Sequence, residues 1–521
     1  MSNKLELTWY GKDKEINIEP RLLIEKPKLS NISSAPDTEN MLIHGDNLLA
    51  LKALESKYAG KVKCIYIDPP YNTGNAFDKY DDNLEHSVWL NLMYKRFEYL
   101  YSMLSDDGFM FVNLDEQEHA YAKVILDSIF GRNNFIGDII WQKRKGGGND
   151  SRYLALDHDY IIVYAKNISK EVHPDKWRTC QSEEYLKRYK EIDENGKRYY
   201  WDTVARDGLK NPIPVSITCP DGFVLSINSQ MSQKTIEEGL QNGMVRLIKS
   251  KNGWTLHHRV YMKNGQVQRS ILNDVGTNKT AGDEMNYLFG DTKAFPYPKP
   301  ESLISRILEL STKEGDLVLD SFLGSGTTSA VAHKMSRRYI GIEMGEHAYT
   351  HCKKRLDMVV SGEDMGGISK SVNWSGGGGY RFYELAPTLI NKDEFGEYVI
   401  NPEYSPEMLA GAVALHEGFT YQPDKNIFWK QSHGNEKSYL FVTTRHLNAV
   451  FMESIAGSME DDEYLVIACS SFDKGLDKLN PHITVKKIPQ MLLEKCEFDK
   501  SDYNLNIIHP PVYEEETEDE S

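Results

Sequence analysis

Asp68-Pro69-Pro70-Tyr71 puts a carboxylate, two ring-stiffened carbonyls and an aromatic ring within four residues. It closes a short apolar run, Lys63–Ile67, and continues into Asn72-Thr73-Gly74. One reading is a proline-stiffened surface turn. The other is chemical. The exocyclic amino group of a base such as adenine is a poor nucleophile, because its lone pair is delocalised into the ring. A carboxylate and a backbone carbonyl that accept its two N–H bonds would localise that pair and aim it. Asp68 can be the carboxylate and Pro69 can offer the carbonyl. The proline rings hold the loop rigid, and Tyr71 can stack on a base turned out of a duplex.

A second candidate is Asp320-Ser321-Phe322-Leu323-Gly324-Ser325-Gly326-Thr327-Thr328. It lacks the GxGxxG spacing of dinucleotide binders and the GK[ST] of a P-loop. A generic glycine-rich turn is the plain alternative. Its glycines let the backbone approach a ligand closely, and a helix starting at Thr327 favours an anion at its N-terminus. The methionine carboxylate of S-adenosylmethionine would satisfy that end without any phosphate. Glu343 follows Asp320 by 23 residues at the end of the next apolar run. Taken alone it is a solvated strand-end glutamate; beside the glycine loop it suits the ribose hydroxyls held at this spacing in such sheets. Asp46, in His44-Gly45-Asp46-Asn47, has two readings: an N-cap for the helix that follows, or an acceptor for the cofactor's adenine N–H.

The elements that must position these residues follow from the apolar pattern. Lys63–Ile67, Phe109–Leu114, Leu317–Asp320 and Tyr339–Glu343 are short apolar runs of the kind buried on both faces of a parallel sheet. Leu48–Leu54, Glu85–Leu104, Ser302–Ser311 and Thr327–Met335 carry helical spacing. Alternation of the two predicts an α/β, doubly wound, mostly parallel sheet. From Trp141 to about Thr280 the rhythm stops, and aromatics crowd in from Tyr153 to Trp201, which predicts an inserted domain. Trp374-Ser375-Gly376-Gly377-Gly378-Gly379 is expected to be a linker. Beyond it a smaller α/β unit has strands at Tyr439–Thr443 and Tyr464–Ala468, and the chain ends on an acidic run.

Composition sets limits. The 521 residues are 40% hydrophobic and 26% charged, with a net charge of −16. Ser361–Ser521 holds 13 Lys and Arg against 28 Asp and Glu, a net of −15, so the first 360 residues carry only −1. Within them Gln241–Thr280 has 7 basic residues and 1 acidic. A locally basic face can therefore meet phosphates despite the acidic total. Lys143–Asp150 (KRKGGGND) and Gln241–Thr280 are read as such contacts, the alternative being solvated loops. The six cysteines form no CxxC pair and no zinc spacing, so free buried thiols are expected and no metal. His119 and His158 are read as structural, because methyl transfer to a hydrogen-bonded amine needs no imidazole base. No apolar run reaches the ~20 residues of a membrane span, and the opening MSNKLELTWYGKDKE has no signal-like segment. A cytoplasmic protein is expected.

IHGDNLLALKAL, YIDPPYNTGNAF, FPYPKPESLISR and LVLDSFLGSGTTSAVA occur in that order. Over Met1–Val360 the chain resembles the amino-methyltransferases whose catalytic motif precedes the cofactor loop. It is most similar to the modification subunits of type III restriction–modification systems. The resemblance implies a seven-stranded S-adenosylmethionine-dependent methyltransferase sheet with a target-recognition domain between its halves. It implies double-stranded DNA as substrate and adenine N6 as the target atom; relatives acting on cytosine N4 often carry Ser in place of Asp68. Asp68, Pro69, Pro70 and Tyr71 become the catalytic loop. Asp320, Phe322, Gly324, Ser325, Gly326 and Thr327 become the cofactor loop. Glu343 holds the ribose, Asp46 the adenine, and Lys299 lies near the cofactor's carboxylate. The domains implied are a lead-in (1–40), a catalytic half (41–140), the recognition insert (141–290) and a cofactor half (291–360). A linker (361–380), a small α/β interaction or dimerisation domain (381–510) and an acidic tail (511–521) complete them. A homodimer and a restriction subunit bearing helicase and nuclease are the partners implied. The chain is shorter than many such subunits, which leaves the restriction partner open. A DNA-recognition scaffold within a restriction complex, and methylation of RNA or of cytosine N4, remain alternatives.

Overall fold

A computed structural model describes residues 7–71, 82–146, 153–170, 177–179, 183–205, 208, 211–263 and 265–500. Asn72–Gly74, the 147–150 end of the basic glycine-rich stretch and the acidic tail lie outside them, as does Cys180.

The frame is a ten-stranded sheet. Its strands are β1 (Leu23–Glu25), β2 (Met41–His44), β3 (Val62–Ile67), β4 (Leu104–Leu114), β5 (Phe135–Gln142), β6 (His158–Ala165), β7 (Ile271–Leu272), β8 (Leu317–Asp320), β9 (Arg338–Glu343) and β10 (Arg381–Leu385). They lie in the order β1-β10-β2-β9-β8-β3-β4-β6-β5-β7. β6 runs antiparallel to β4 and β5, and β1 antiparallel to β10. The other neighbours are parallel. The expected doubly wound, mostly parallel α/β sheet is present. Seven contiguous strands, β2 to β5, form its middle, and β1, β10 and β7 extend it at the two edges.

Burial explains the apolar runs. Val62, Cys64, Ile65, Tyr66 and Ile67 of β3 and all four residues of β8 are buried. Helices supply the cover: α1 (Asn47–Tyr58), α2 (Asp82–Met103), α3 (His119–Phe130), α4 (Asn278–Phe289), α5 (Glu301–Ser311) and α6 (Thr327–Lys334). On α2, Trp89, Met93, Phe97 and Leu100 recur at helical spacing and join one core cluster with Ile65, Ile67, Met110 and Val112. Each such side chain contributes roughly 1.5–3 kcal/mol on burial.

Connectivity positions the site. The chain leaves β3, forms α2 and returns as β4 on one side of β3. It leaves β8, forms α6 and returns as β9 on the other side of β8. β3 and β8 are parallel neighbours. Their carboxyl ends therefore flank a topological switch point, where open α/β sheets bind ligands.

Packing divides the chain into two units, Met1–Val172 with Arg269–Ser521, and His173–Gln268. The smaller unit lies inside the 141–290 stretch assigned by sequence texture. The flanks of that stretch belong to the large sheet: Tyr160 and Tyr164, two of the crowded aromatics, are residues of β6. The smaller unit has a four-stranded sheet from Glu191–Ile192, Arg198–Thr203, Val245–Ser250 and Gly253–Tyr261. Its core is Val204, Val215, Ile217, Ile236, Val245 and Leu256.

The C-terminal residues include a separate five-stranded sheet whose last three strands, Ser438–Leu447, Tyr464–Phe472 and Ile483–Lys487, are parallel. The glycine run before it departs from the linker expectation. Gly377 N donates to Val360 O at 2.8 Å, and Ser34 Oγ donates to Gly378 O at 2.7 Å. A Cβ on Gly376 would stand 2.9 Å from Gly362 N. The glycines permit close backbone packing against the fold, and β10 begins two residues after them. Cys64, Cys219, Cys352, Cys469 and Cys496 are free and buried. Among the described residues no helix is long and apolar enough to cross a membrane.

Candidate active site

Asp68 leaves the end of β3 with its carboxylate fully engaged. Lys299 Nζ donates to Oδ2 at 2.5 Å, the Tyr71 hydroxyl to Oδ1 at 2.6 Å, and Asn113 Nδ2 to Oδ1 at 3.3 Å. Asn113 stands on the neighbouring β4 and also donates to the Tyr71 hydroxyl. Asp159, from β6, lies 3.4 Å from that hydroxyl and pairs with Lys143 Nζ at 2.6 Å. Trp89 Nε1 of α2 donates to Pro70 O at 2.7 Å and fixes the far side of the loop. Burial and the charges of Asp68 and Asp159 push the Tyr71 phenol well above its ordinary range, so it stays protonated and donates. Burial, reinforced by the charges of Glu116 and Asp159, raises Asp115 to about 6 against opposing help from the Gln117 N–H and Lys143.

The loop after β8 is built differently. Asp320 Oδ1 accepts the Phe322 N–H at 2.9 Å, and Oδ2 accepts the Thr328 hydroxyl at 2.6 Å. Burial pushes Asp320 up to about 7; these hydrogen bonds oppose the shift, and the charges of Asp68 and Glu343 add to it. Glu343 closes the loop by accepting Gly324 N at 2.8 Å and Gly345 N at 2.9 Å. Gly326 has φ 82°, and a Cβ there would lie 3.1 Å from Cys352 Cα. Only glycine takes that backbone at that distance without cost. Thr327 is fixed by Arg355 Nη1 at 2.8 Å, and its hydroxyl donates to Lys299 O at 3.2 Å. Lys299 thus bridges the two loops, by its carbonyl to one and its ammonium to the other.

Asp68, Pro69, Pro70, Tyr71, Lys299, Asp320, Phe322, Gly324, Ser325 and Thr327 line one cavity of about 650 Å³. Gly326, Glu343 and Asp46 do not line it. Asp46 caps α1 through Leu49 N at 3.1 Å, and its other oxygen pairs with the buried Arg96 at 3.0 Å. The helix-cap reading describes that geometry. Lys299, expected beside a cofactor carboxylate, lines the cavity with Ser325 and Thr327 and pairs with Asp68. Lys143, expected on phosphate, pairs with Asp159. His119 stacks on Tyr160 with centroids 4.2 Å apart. Sequence reasoning missed Asn113, Asp115, Asp159, Phe295 and Tyr297. For Asn113 a usable signal existed: it is a polar residue inside an otherwise apolar run, Phe109–Leu114.

A switch-point cavity holding a glycine loop on one strand and an acidic-prolyl loop on the next defines an α/β ligand-binding enzyme site. Residues 62–354, more than half of the chain, match the model of the DNA methylase family, and the chain belongs to that family. It is similar to the "probable type III restriction-modification enzyme HindVI Mod subunit" of Haemophilus influenzae, with 36% identity over 68% of this chain and 55% of that one. It is similar also to the type III restriction-modification enzyme StyLTI Mod subunit of Salmonella typhimurium, 30% identical over 58% of this chain and 50% of that one. The EcoP15I Mod subunit of Escherichia coli is 25% identical over 79% of this chain and 77% of that one. The chain spans about half the length of the first two relatives.

Proposed function

We propose that the chain transfers a methyl group from S-adenosylmethionine to N6 of an adenine extruded from double-stranded DNA. The observation that carries this reading is the shared cavity: an amine-engaging carboxylate and a glycine loop open into one space at the switch point. The cavity fits the cofactor's mixed chemistry. Phe322, Leu323 and Phe295 give apolar wall, and the N-terminus of α6 with Ser325 and Thr327 gives donors for a carboxylate. A Cβ on Gly324 would meet Phe295 Cζ at 3.1 Å, so the bare glycine lets the Phe295 ring pack against the loop. Bound S-adenosylmethionine would supply an electrophilic methyl group on a sulfonium.

The chain's own residues do the rest. Asp68 accepts one N–H of the adenine amine. With Pro70 O held by Trp89, the second N–H falls to the Pro69 carbonyl. Both contacts push electron density onto N6 and hold it in line. On accepting that methyl group N6 would carry one proton too many, and it would lose that proton to solvent past Asp68. Asp68 must first exchange Lys299 or Tyr71 for the amine. Glu343 and Asp46, proposed for ribose and adenine of the cofactor, would accept those bonds in addition to the ones they already hold.

The relatives named as Mod subunits support a modification subunit of a restriction–modification system. A restriction partner, a homodimer, a cytoplasmic location and a recognition insert within residues 141–290, for which the compact unit His173–Gln268 is the candidate, belong to the same proposal. The test is product identification. The purified chain is incubated with genomic DNA and methyl-labelled S-adenosylmethionine, and the DNA is digested to nucleosides. Labelled N6-methyldeoxyadenosine is expected. Labelled N4-methyldeoxycytidine would overturn the base assignment, and no label with cofactor bound would overturn the activity.

A further inference from the structure

Tyr297 is 78% exposed, yet it lines the same cavity as Asp68 and Tyr71. It lies in Phe295-Pro296-Tyr297-Pro298-Lys299, whose two ends are anchored on the two loops. The Phe295 ring lies against Gly324, with an edge-on contact to His347 at 5.0 Å between centroids, and Lys299 pairs with Asp68. Between these anchors Tyr297 has φ 52°, a left-handed backbone disfavoured for a residue with a Cβ. Proline on each side limits its backbone to few alternatives. The segment therefore holds one large aromatic ring out at the mouth of the cavity, in a conformation that local preference alone would not choose.

Tyr71 cannot by itself enclose a base. Its hydroxyl is tied to Asp68 and Asn113, and Lys299 Nζ lies 5.2 Å from its ring centroid. It is a fixed inner wall. We infer that Tyr297 is the outer wall: a base-binding residue that stacks on the extruded base while Asp68 engages its amino group. This rests on the reading of the cavity as a methyl-transfer site. Because it sits on the segment that carries Lys299, the arriving base would meet Tyr297 beside one of the two residues that can release Asp68.

Two variants separate the ring from the backbone. Tyr297→Asn keeps a residue tolerant of left-handed backbone and removes the ring; Tyr297→Phe keeps the ring. They are compared with the unaltered chain for kcat/KM on DNA and for the dissociation constant of S-adenosylmethionine. A third readout is the fluorescence of 2-aminopurine placed at the methylated position, once that position has been read from modified genomic DNA. Stacking is quenching, so the ring should darken an extruded probe. Tyr297→Asn is expected to lower kcat/KM by about 10- to 100-fold, the loss of one stacked aromatic. It should brighten the probe and leave cofactor binding intact, and Tyr297→Phe should recover most of both effects. Wild-type kcat/KM with an unchanged probe signal in Tyr297→Asn would overturn the inference alone. A loss of cofactor affinity equal to the loss of transfer would also overturn it, assigning Tyr297 to the cofactor side. Failure of the unaltered chain to methylate DNA with cofactor bound would overturn the reading beneath it.

Discussion

Asp68 and Asp320 leave neighbouring parallel strands and face one cavity, but their carboxylates are held by different kinds of partner. Asp68 is held by side chains alone: Lys299 and Asn113 from distant parts of the chain, and Tyr71 from three residues on in its own loop. Asp320 is held by the N–H of Phe322 in its own loop and the hydroxyl of Thr328 in the first turn of α6, and Glu343 braces that loop through the Gly324 amide while its other oxygen accepts the Gly345 amide. A side-chain partner can swing away in exchange for a ligand atom. A backbone amide in a tight turn cannot. The first loop is thus suited to engage a substrate that comes and goes, and the second to keep its shape. In free-energy terms the exchange keeps charge-assisted hydrogen bonds on Asp68, and its cost lies with the Lys299 ammonium, which gives up its carboxylate in a nearly buried place.

This contrast can be broken at the rigid loop first. Gly326→Ala forces a Cβ into 3.1 Å of Cys352 Cα at φ 82°. A cost of about 1–3 kcal/mol in the folded loop is expected. S-adenosylmethionine binding, measured by titration calorimetry, should weaken by about tenfold or more. Unchanged affinity would mean that the loop is not the cofactor's cradle.

A smaller effect tests the buried carboxylate. Burial raises Asp320 to about 7 in the folded chain, above its ordinary value near 4. A raised carboxylate binds its proton more tightly when folded. Its stabilising contribution is therefore full below about pH 4 and fades as pH rises through about 7. Tyr164 and other buried phenols do not titrate in that window. Asp320→Asn removes the titration, so its melting temperature relative to the unaltered chain should climb between about pH 4 and about pH 7 and level off above. A difference that stays flat across that range would contradict the assigned burial effect.

Much of this architecture is legible in the sequence. Lys63–Ile67 became Val62–Ile67, Leu317–Asp320 was met as written, and Glu85–Leu104 became Asp82–Met103, because apolar spacing reports burial directly. Nine of the ten expected site residues that line the cavity do so for a similar reason: they stand at or follow the ends of β3 and β8, and a strand-end position fixes where a loop must open. What was not legible is long-range pairing. Nothing local in Asp157-His158-Asp159 announces that Asp159 will meet Lys143 and the Tyr71 hydroxyl. The same holds for Lys299, whose partner lies 231 residues away. For Tyr297, nothing in the residue types of a proline-bracketed segment announces the left-handed backbone that presents the ring. The glycine run at 376–379 misled for an instructive reason: absence of side chains serves close packing as well as flexibility.

The central claim is that Asp68 acts on the substrate amine while the cofactor is held elsewhere. It is tested most directly by Asp68→Ala, with S-adenosylmethionine affinity and single-turnover methyl transfer to DNA measured on the same preparation. The account predicts cofactor affinity within about twofold of the unaltered chain and transfer reduced by about a thousandfold or more, the scale of losing a preorganised transition-state contact. Transfer at the normal rate by a folded, cofactor-binding Asp68→Ala chain would contradict it.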